Sequence, residues 1–372
     1  MRRNSKNKTA VLCAILAGTM IASSAPAMSG FAAVSARDAI SVQAEKGSGT
    51  ATASKGSWKK DKKGWWYQNA DGSFPKNTWS QIDGSWYYFG SDGYAVTAGW
   101  KEIDGKWYAF DKSGKMVTGW KEIGGARYYF GDDGVMTKGW KKIGGKYYYF
   151  DGDGVMQTGW KEIDGKTYAF NSKGVMYSGI SKIGNKYYGF DDSGALLTGF
   201  HKIGGKTYYF NSKGVMQTGW KEIDGKWYAF TSKGVMYTGL KKIGDKYYIF
   251  DKNGVMQTGW KQAGGNWYYL DKDGAALTGW GKIGGKWYHM DSKGVMQTGW
   301  TQIDNKWYLL GSDGVMYTGW YKQDGNWYYF LSTSGEMATG WWRIGENKLY
   351  NFDSNGVMIA EWEAVNGTWQ KK

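Results

Sequence analysis

Residues 214–233 read GVMQTGWKEIDGKWYAFTSK, and variants of this 20-residue unit fill most of the 372-residue chain. The unit is rich in Gly, Trp and Tyr, which are typical of tight turns and short strands. A Gly-Trp pair recurs in most units and ends at Trp100, Trp120, Trp140, Trp160, Trp220, Trp260, Trp280, Trp300 and Trp320. In three units its Trp is replaced, by Ile180, Phe200 and Leu240. Such a period is typical of repeat architectures, in which each unit packs on its neighbours.

Each unit predicts a β-hairpin. In residues 206–220, Lys-Thr-Tyr-Tyr-Phe would form one strand, Asn-Ser-Lys-Gly the turn and Val-Met-Gln-Thr-Gly-Trp the return strand. The Ile-Asp-Gly or Ile-Gly-Gly stretch of each unit would then link one hairpin to the next. Because a two-stranded hairpin is marginally stable alone in water, we expect an all-β fold, a β-solenoid of stacked β-hairpins.

Three segments are predicted along the chain: a signal peptide at 1–27, a flexible linker at 28–57 and a tandem repeat array at 58–369. Met1–Lys8 is basic, Ala10–Ala25 is apolar, and Ala25-Pro26-Ala27 has the small residues of a cleavage site. The apolar run is too short for a good membrane span. The single cysteine, Cys13, lies in the leader, so the mature chain would have no thiol. We therefore expect a secreted protein.

The formal net charge of +15 favours anionic surroundings. The lysines recur once or twice per repeat rather than in one cluster, which indicates a solvated face and not a nucleic-acid site. Phosphate-rich wall polymers would suit the same charge.

Catalysis is not expected. A catalytic group should be unique within a repeat array, yet nearly every carboxylate recurs with the repeat. The two histidines, His201 and His289, occupy variable repeat positions and are predicted to lie on the surface. No His/Cys spacing suits a metal, and the loop Asp151-Gly152-Asp153-Gly154 lacks the later Glu of a calcium loop. We expect no enzyme activity, no metal and no cofactor.

The aromatic strands predict a binding chemistry. Strand side chains alternate between faces, so one face can close the core while the other lines a groove between hairpins. A groove walled by rings and a Met suits a quaternary ammonium ion, which has charge but no N–H donor. Each cation–π contact contributes roughly 0.5–2 kcal/mol, so one site would be weak, about millimolar. Repeated sites on a polymer would raise avidity by about 10²–10⁴.

The repeat pattern resembles the choline-binding repeats of bacterial surface proteins. The pattern is Gly-Trp, seven residues, Trp-Tyr, a turn and Gly-x-Met-x-Thr-Gly-Trp, and it runs from residue 58 to about 362. The resemblance implies that the ligand is choline on cell-wall teichoic acids and that the protein is associated with the cell wall. It also implies that a site takes the Trp of Gly-Trp and the first aromatic of Trp-Tyr from one repeat, with a Tyr from the next.

Carried over by position, this resemblance assigns eight ligand-binding sets of three aromatic residues. They are Trp79, Trp86 and Tyr108; Trp100, Trp107 and Tyr128; Trp140, Tyr147 and Tyr168; Trp220, Trp227 and Tyr248; Trp260, Trp267 and Tyr288; Trp280, Trp287 and Tyr308; Trp300, Trp307 and Tyr328; and Trp320, Trp327 and Tyr350. Two single-residue insertions precede Tyr350.

Some repeats depart from the pattern. Arg127, Thr167 and Thr207 replace the first aromatic, while Ile180 and Leu240 replace the Trp of Gly-Trp. The middle of the array, residues 160–215, is therefore expected to bind choline poorly. Its irregularity resembles the repeats of glucan-binding enzymes and glucosylating toxins, so binding of a polysaccharide, either a glucan or a host glycan, stays an alternative.

A third alternative is purely structural, with every ring in the core. The Gly-Trp position stays apolar where Trp is lost, as a core position does. The first aromatic tolerates Thr and Arg, which predicts partial exposure of Trp107 and Trp287 and favours a binding role for them. Tyr108 and Phe110 are predicted to belong to the core.

Overall fold

The computed structural model describes residues 56–372. The predicted signal peptide and all but the last two residues of the predicted linker lie outside this described part. The described residues fall into two compact units, divided between Gln157 and Thr158. Residues 56–372 contain 32 strands and no helix. None of these residues therefore belongs to a helix long and apolar enough to cross a membrane.

The strands are short and evenly spaced. The first unit contains β1 (Ser57–Lys60), β2 (Trp65–Gln68), β3 (Thr78–Ile82), β4 (Ser85–Phe89), β5 (Gly99–Ile103), β6 (Lys106–Phe110), β7 (Gly119–Ile123), β8 (Ala126–Phe130), β9 (Gly139–Ile143) and β10 (Lys146–Phe150). The second unit contains β11 (Gly159–Ile163), β12 (Lys166–Phe170), β13 (Gly179–Ile183), β14 (Lys186–Phe190), β15 (Gly199–Ile203), β16 (Lys206–Phe210), β17 (Gly219–Ile223), β18 (Lys226–Phe230), β19 (Gly239–Ile243), β20 (Lys246–Phe250), β21 (Gly259–Ala263), β22 (Asn266–Leu270), β23 (Gly279–Ile283), β24 (Lys286–Met290), β25 (Gly299–Ile303), β26 (Lys306–Leu310), β27 (Gly319–Gln323), β28 (Asn326–Phe330), β29 (Gly340–Arg343), β30 (Lys348–Phe352), β31 (Met358–Val365) and β32 (Thr368–Lys371).

Consecutive strands pair as antiparallel hairpins, but the predicted pairing within the repeat was wrong. β5 pairs with β6 along its whole length, across the two-residue turn Asp104-Gly105, whose φ values are 51° and 72°. Two consecutive positive φ values are typical of a type I′ turn, whose twist matches that of the flanking strands. The Ile-Asp-Gly stretch is therefore the hairpin turn, and not the link between hairpins.

The Asp-x-x-Gly segment, predicted to be the hairpin turn, is the loop between hairpins. After β6, backbone pairing is reduced to a single bridge between Phe110 and Met116. The loop is closed by its own first side chain, because Asp111 Oδ1 accepts hydrogen bonds from the backbone N–H groups of Ser113 and Lys115 at 2.8 and 3.0 Å. A loop that satisfies its own backbone does not need to align two strands.

Backbone hydrogen bonds within each unit tie loops to the hairpin before the one they follow. The backbone N–H of Met136, in the loop after β8, donates to the carbonyl of Trp107 in β6 at 2.8 Å. In the second unit, the N–H of Met256 donates in the same way to the carbonyl of Trp227. These bonds hold successive hairpins at a constant spacing within each unit.

The core consists of the last residue of each second strand and the rings packed on it. Phe130 is fully buried, and the Trp100 ring of the preceding hairpin lies 4.9 Å from Tyr128 and 5.5 Å from Phe130. Tyr108 and Phe110 are 5% and 4% exposed, which confirms that they are core residues. Each unit is thus a β-solenoid of stacked hairpins, which confirms the predicted all-β fold class.

The end of the described chain departs from this pattern. Strands β29 to β32 form one four-stranded antiparallel sheet. β30 pairs with β31 and shifts register at Asn351/Phe352. This sheet completes the second unit.

Candidate ligand-binding site

Three aromatic rings from two successive hairpins meet around a cavity in the second unit. The Trp220 ring centroid lies 6.5 Å from that of Trp227 and 4.8 Å from that of Tyr248, with interplanar angles of 70° and 65°. The cavity has a volume of about 250 Å³, and its lining includes these three rings and Met256. Its walls therefore present aromatic faces and a thioether.

The strand geometry explains this convergence. Trp220 is the second residue of β17 and packs on Phe250, at the end of β20, at 5.7 Å. Trp227 is the second residue of β18 and lies opposite Glu222 rather than opposite Trp220. Met256 is brought to the same place because its N–H bonds the Trp227 carbonyl at 2.8 Å.

The same arrangement occurs in the first unit. Trp100, Trp107, Tyr128 and Met136 line a cavity of about 280 Å³. The cavity is shaped by the same register, with Glu102 opposite Trp107. Two sets from separate units thus have one geometry.

Other predicted sets are brought together as well. Trp-to-Trp and Trp-to-Tyr centroid distances are 6.5 and 4.9 Å for Trp260, Trp267 and Tyr288; 6.5 and 5.0 Å for Trp300, Trp307 and Tyr328; and 6.1 and 4.7 Å for Trp320, Trp327 and Tyr350. The two insertions before Tyr350 therefore do not separate that ring from Trp320.

In two of the remaining predicted sets, the first and third rings are in contact. Trp79 lies 4.8 Å from Tyr108, and Trp280 lies 4.8 Å from Tyr308. The members of the set Trp140, Tyr147 and Tyr168 are divided between the two units, and that set stays a prediction.

The second ring is exposed in six of the predicted sets. Trp227 and Trp287 are 44% and 42% exposed, which confirms the predicted exposure of the first aromatic of Trp-Tyr. The Tyr of the next hairpin is buried or nearly so, as Tyr308 is at 8%. The set of Trp280, Trp287 and Tyr308 therefore combines a buried wall with a solvent-facing one, and a ligand can reach it from solvent.

One set was missed from the sequence. Trp58, Trp65 and Tyr87 line a cavity of about 450 Å³ in the first unit, with Trp58 lying 6.5 Å from Trp65 and 4.8 Å from Tyr87. The signal was the seven-residue spacing from Trp58 to Trp65, which is that of the other sets. Ser57 precedes Trp58, where most other units have Gly.

Arg127 occupies the place of an aromatic wall and supplies a cation of its own. Its guanidinium carbon lies 4.8 Å from the centroid of the Trp120 ring, and Tyr148 lies 4.9 Å from the same ring. The set beginning at Trp120 therefore already holds a positive group against its ring.

Burial is the largest electrostatic effect on Tyr108, the third ring of the first predicted set. It raises the pKa of Tyr108 to about 12, together with the nearby Asp133 and Asp104 carboxylates. The Tyr108 hydroxyl is therefore neutral at physiological pH.

His289, predicted to lie on the surface, is partly buried. Its Nδ1 is buried without a hydrogen-bond partner in residues 56–372, and its ring lies 5.0 Å from that of Trp280. Burial lowers the pKa of His289, and Asp304 and Asp291 oppose this shift. His201 contacts the carbonyl oxygen of Thr198 through Nε2 at 2.8 Å.

Within residues 56–372, no three His, Cys, Asp or Glu side chains are grouped so that they could hold a metal ion. The candidate site is thus a series of aromatic cavities between stacked hairpins.

Several solved structures are similar to this chain. CbpJ from Streptococcus pneumoniae TIGR4 is 32% identical with a TM-score of 0.44, over 65% of this chain and 100% of that one. Choline binding protein F from the same species is 31% identical with a TM-score of 0.44, over 68% of this chain and 98% of that one. The modular autolysin LytC, also from Streptococcus pneumoniae, is 25% identical with a TM-score of 0.40, over 60% of this chain and 52% of that one. No curated protein matches the chain.

Family models match most of the repeat array. A cell wall binding repeat model matches residues 278–296. The choline-binding repeat model matches more than half of the chain, at residues 76–118, 117–158, 137–177, 197–238, 237–278 and 298–342. The matched segments include the rings that line the cavities around Trp100 and Trp220. The chain therefore belongs to the choline-binding repeat family.

Proposed function

We propose that this protein is a secreted, non-catalytic surface protein that binds choline groups on cell-wall teichoic acids through its aromatic sets. The observation that carries the proposal is the cavity lined by Trp220, Trp227, Tyr248 and Met256. Its volume of about 250 Å³ leaves room for a small ligand such as a trimethylammonium group. Membership of the choline-binding repeat family supports the same ligand.

The chemistry of the walls suits a cation that cannot donate hydrogen bonds. Ring faces attract a cation by their quadrupoles, with roughly 0.5–2 kcal/mol for each contact. The methyl groups of a trimethylammonium ion donate no hydrogen bonds to water, so none are lost when they enter an apolar cavity. Two or three rings therefore produce an affinity of about millimolar for a single choline.

Repetition converts this weak binding into stable attachment. In two predicted sets the three rings line one cavity. In three others, the second and third rings both contact the first Trp of the set. A polymer that carries many cholines would engage several sets at once, which raises avidity by about 10²–10⁴. The net positive charge that the chain keeps without its leader would add attraction to polymer phosphates.

Equilibrium dialysis with choline tests the proposal. We expect saturable millimolar binding at several sites per chain, and elution of the protein from a tertiary-amine resin by free choline. Absence of both would refute the choline function. Incubation with purified walls should release no soluble fragments, which tests the non-catalytic part, and a culture-supernatant protein that begins at Met28 would support secretion.

Carbohydrate binding is a second candidate, favoured by the incomplete sets. Trp160 and Phe200 are 42% and 40% exposed, and the second wall at each is a threonine, Thr167 or Thr207. A single exposed ring beside a hydroxyl suits the face of a sugar better than it suits a cation. Elution by dextran and not by choline would favour this function.

A further inference from the structure

One loop residue recurs at the opening of each aromatic cavity. The cavity around Trp220 is also lined by Asp273, and the cavity around Trp100 by Asp153. Ser113 has the same place at the cavity around Trp58. The position is found two hairpins beyond the hairpin that contains the first Trp of the set. The loop after that later hairpin contains a glycine, and each of these residues immediately precedes it. We call this position the mouth residue.

The loop holds the mouth residue in a defined place. Asp271 Oδ1 accepts hydrogen bonds from the N–H groups of Asp273 and Ala275, both at 2.9 Å. Gly274 follows with a φ of +79°, and a Cβ there would meet the side chain of Met256. The loop therefore rests on the methionine that lines the cavity, and its third residue faces the opening.

The carboxylates at two mouths are available to a ligand. Within residues 56–372, the side chains of Asp153 and Asp273 make no hydrogen bond or ion pair. The other charged side chains that line these cavities are Lys138 beside Asp153 and Lys272 beside Asp273. Without the aspartate, each mouth would carry only a positive charge.

Where the mouth residue is charged, the sign of its charge follows the completeness of the set. By repeat register, four sets with three aromatic residues have an aspartate at the mouth: Asp133, Asp153, Asp273 and Asp313. Three sets that lack a ring have a lysine instead: Lys213 for Trp160 with Thr167, Lys233 for Ile180, and Lys293 for Leu240. The remaining mouths in the described chain that belong to one unit are Ser or Asn. Charge and aromatic completeness thus change together.

We propose that the mouth residue selects the charge of the ligand that each cavity admits. Aspartate at Asp153 and Asp273 favours a cation over a neutral molecule of the same shape. Lysine at Lys213, Lys233 and Lys293 opposes cations at sets whose walls are already incomplete. This inference rests on the proposed choline function, and it assigns a residue outside the three aromatic walls to specificity.

The test measures choline affinity at single sets in the full chain. Indole N–H resonances of Trp227 and Trp107 report the two cavities separately during a choline titration. Each unit charge at a solvent-exposed mouth changes the affinity for a cation by about threefold at low ionic strength, so Asp273→Lys should weaken choline at Trp227 by about tenfold. The Trp107 cavity is the internal control and should not change, and Asp153→Lys should give the reverse pattern.

Two controls separate charge from damage. Asp192→Lys makes the same charge change at an exposed loop residue that is not a mouth residue, and it should leave both affinities unchanged. The neutral isostere 3,3-dimethylbutan-1-ol should bind wild type and Asp273→Lys equally. If choline binds Trp227 equally in both proteins, the mouth inference is overturned while the choline function stands. If choline shifts no indole resonance of the wild type, the proposed function itself fails.

Discussion

The guanidinium carbon of Arg127 lies 4.8 Å from the centroid of the Trp120 ring, where the second ring stands in the complete sets. Tyr148 completes the other side of the Trp120 ring at 4.9 Å. The chain thus supplies its own cation at one point of the array. This departure from the repeat does not disturb the fold, since the carbonyl of Arg127 still accepts the usual bond from Met156.

Replacement of Arg127 by Trp should create a new choline site. The substitution removes the internal cation and restores the second wall, so the Trp120 indole resonance should begin to titrate at about millimolar choline. Arg127→Ala is the control, because it removes the cation without adding a ring, and it should gain much less. Titration of Trp120 in the wild type would contradict this interpretation.

Trp287 and Phe110 should separate binding from stability. Trp287 is 42% exposed while Phe110 is 4% exposed. Trp287→Ala should weaken choline binding and change the free energy of unfolding by less than about 1 kcal/mol. Phe110→Ala should lower that free energy by about 3–5 kcal/mol, because it removes a ring from a packed core. Urea unfolding and choline dialysis on both variants provide the measurement, and equal unfolding midpoints would contradict the assignment.

Much of the architecture could be predicted from the sequence because the period is so regular. The family resemblance, carried over by repeat position, placed Trp220, Trp227 and Tyr248 in one set, and the structure brings these rings around one cavity. Spacing could not decide which turn closes the hairpin, since both Asp104-Gly105 and the segment that begins at Asp111 have turn residues. The choice depends on backbone twist, which favours two consecutive positive φ values.

Other features depend on contacts between repeats and have no signature inside one repeat. The mouth residue lies two hairpins beyond the Trp that it serves, as Asp273 does for Trp220. His289 looked like a surface residue because its position varies among repeats, but that position packs on Trp280. Ala109, Gly189 and Leu309 hold the same position and are buried, so variation there reflects tolerance for side chains of different size, not exposure.

The stability of the second unit should depend on pH through His289. Burial lowers its folded-state pKa below the ordinary value of 6.5, so the unfolded chain binds a proton first as pH falls. The contribution of neutral His289 to the unfolding free energy is fully present above pH 6.5. It should decline as pH drops from there to the folded-state pKa. The substitution His289→Tyr places the Tyr of other repeats at this position and removes the titrating group. The melting temperature of this variant should therefore fall less between pH 7 and pH 5 than that of the wild type. An unchanged pH dependence in the variant would rule out this histidine as the cause.

Gly154 should be required for the cavity and not only for the loop. Its φ is +77°, and a Cβ there would stand 2.5 Å from Met136 Sδ, which lines the cavity around Trp100. Gly139 is a matched control, because its φ is +70° and a Cβ there would meet nothing within 4 Å. Both alanine variants strain the backbone by roughly 1–2 kcal/mol, so this part of the loss in unfolding free energy should be shared. Only Gly154→Ala must displace Met136 as well, and it should therefore lose more stability and weaken choline at Trp107. Equal choline affinity at Trp107 in the two variants would mean that the methionine contributes nothing to the site.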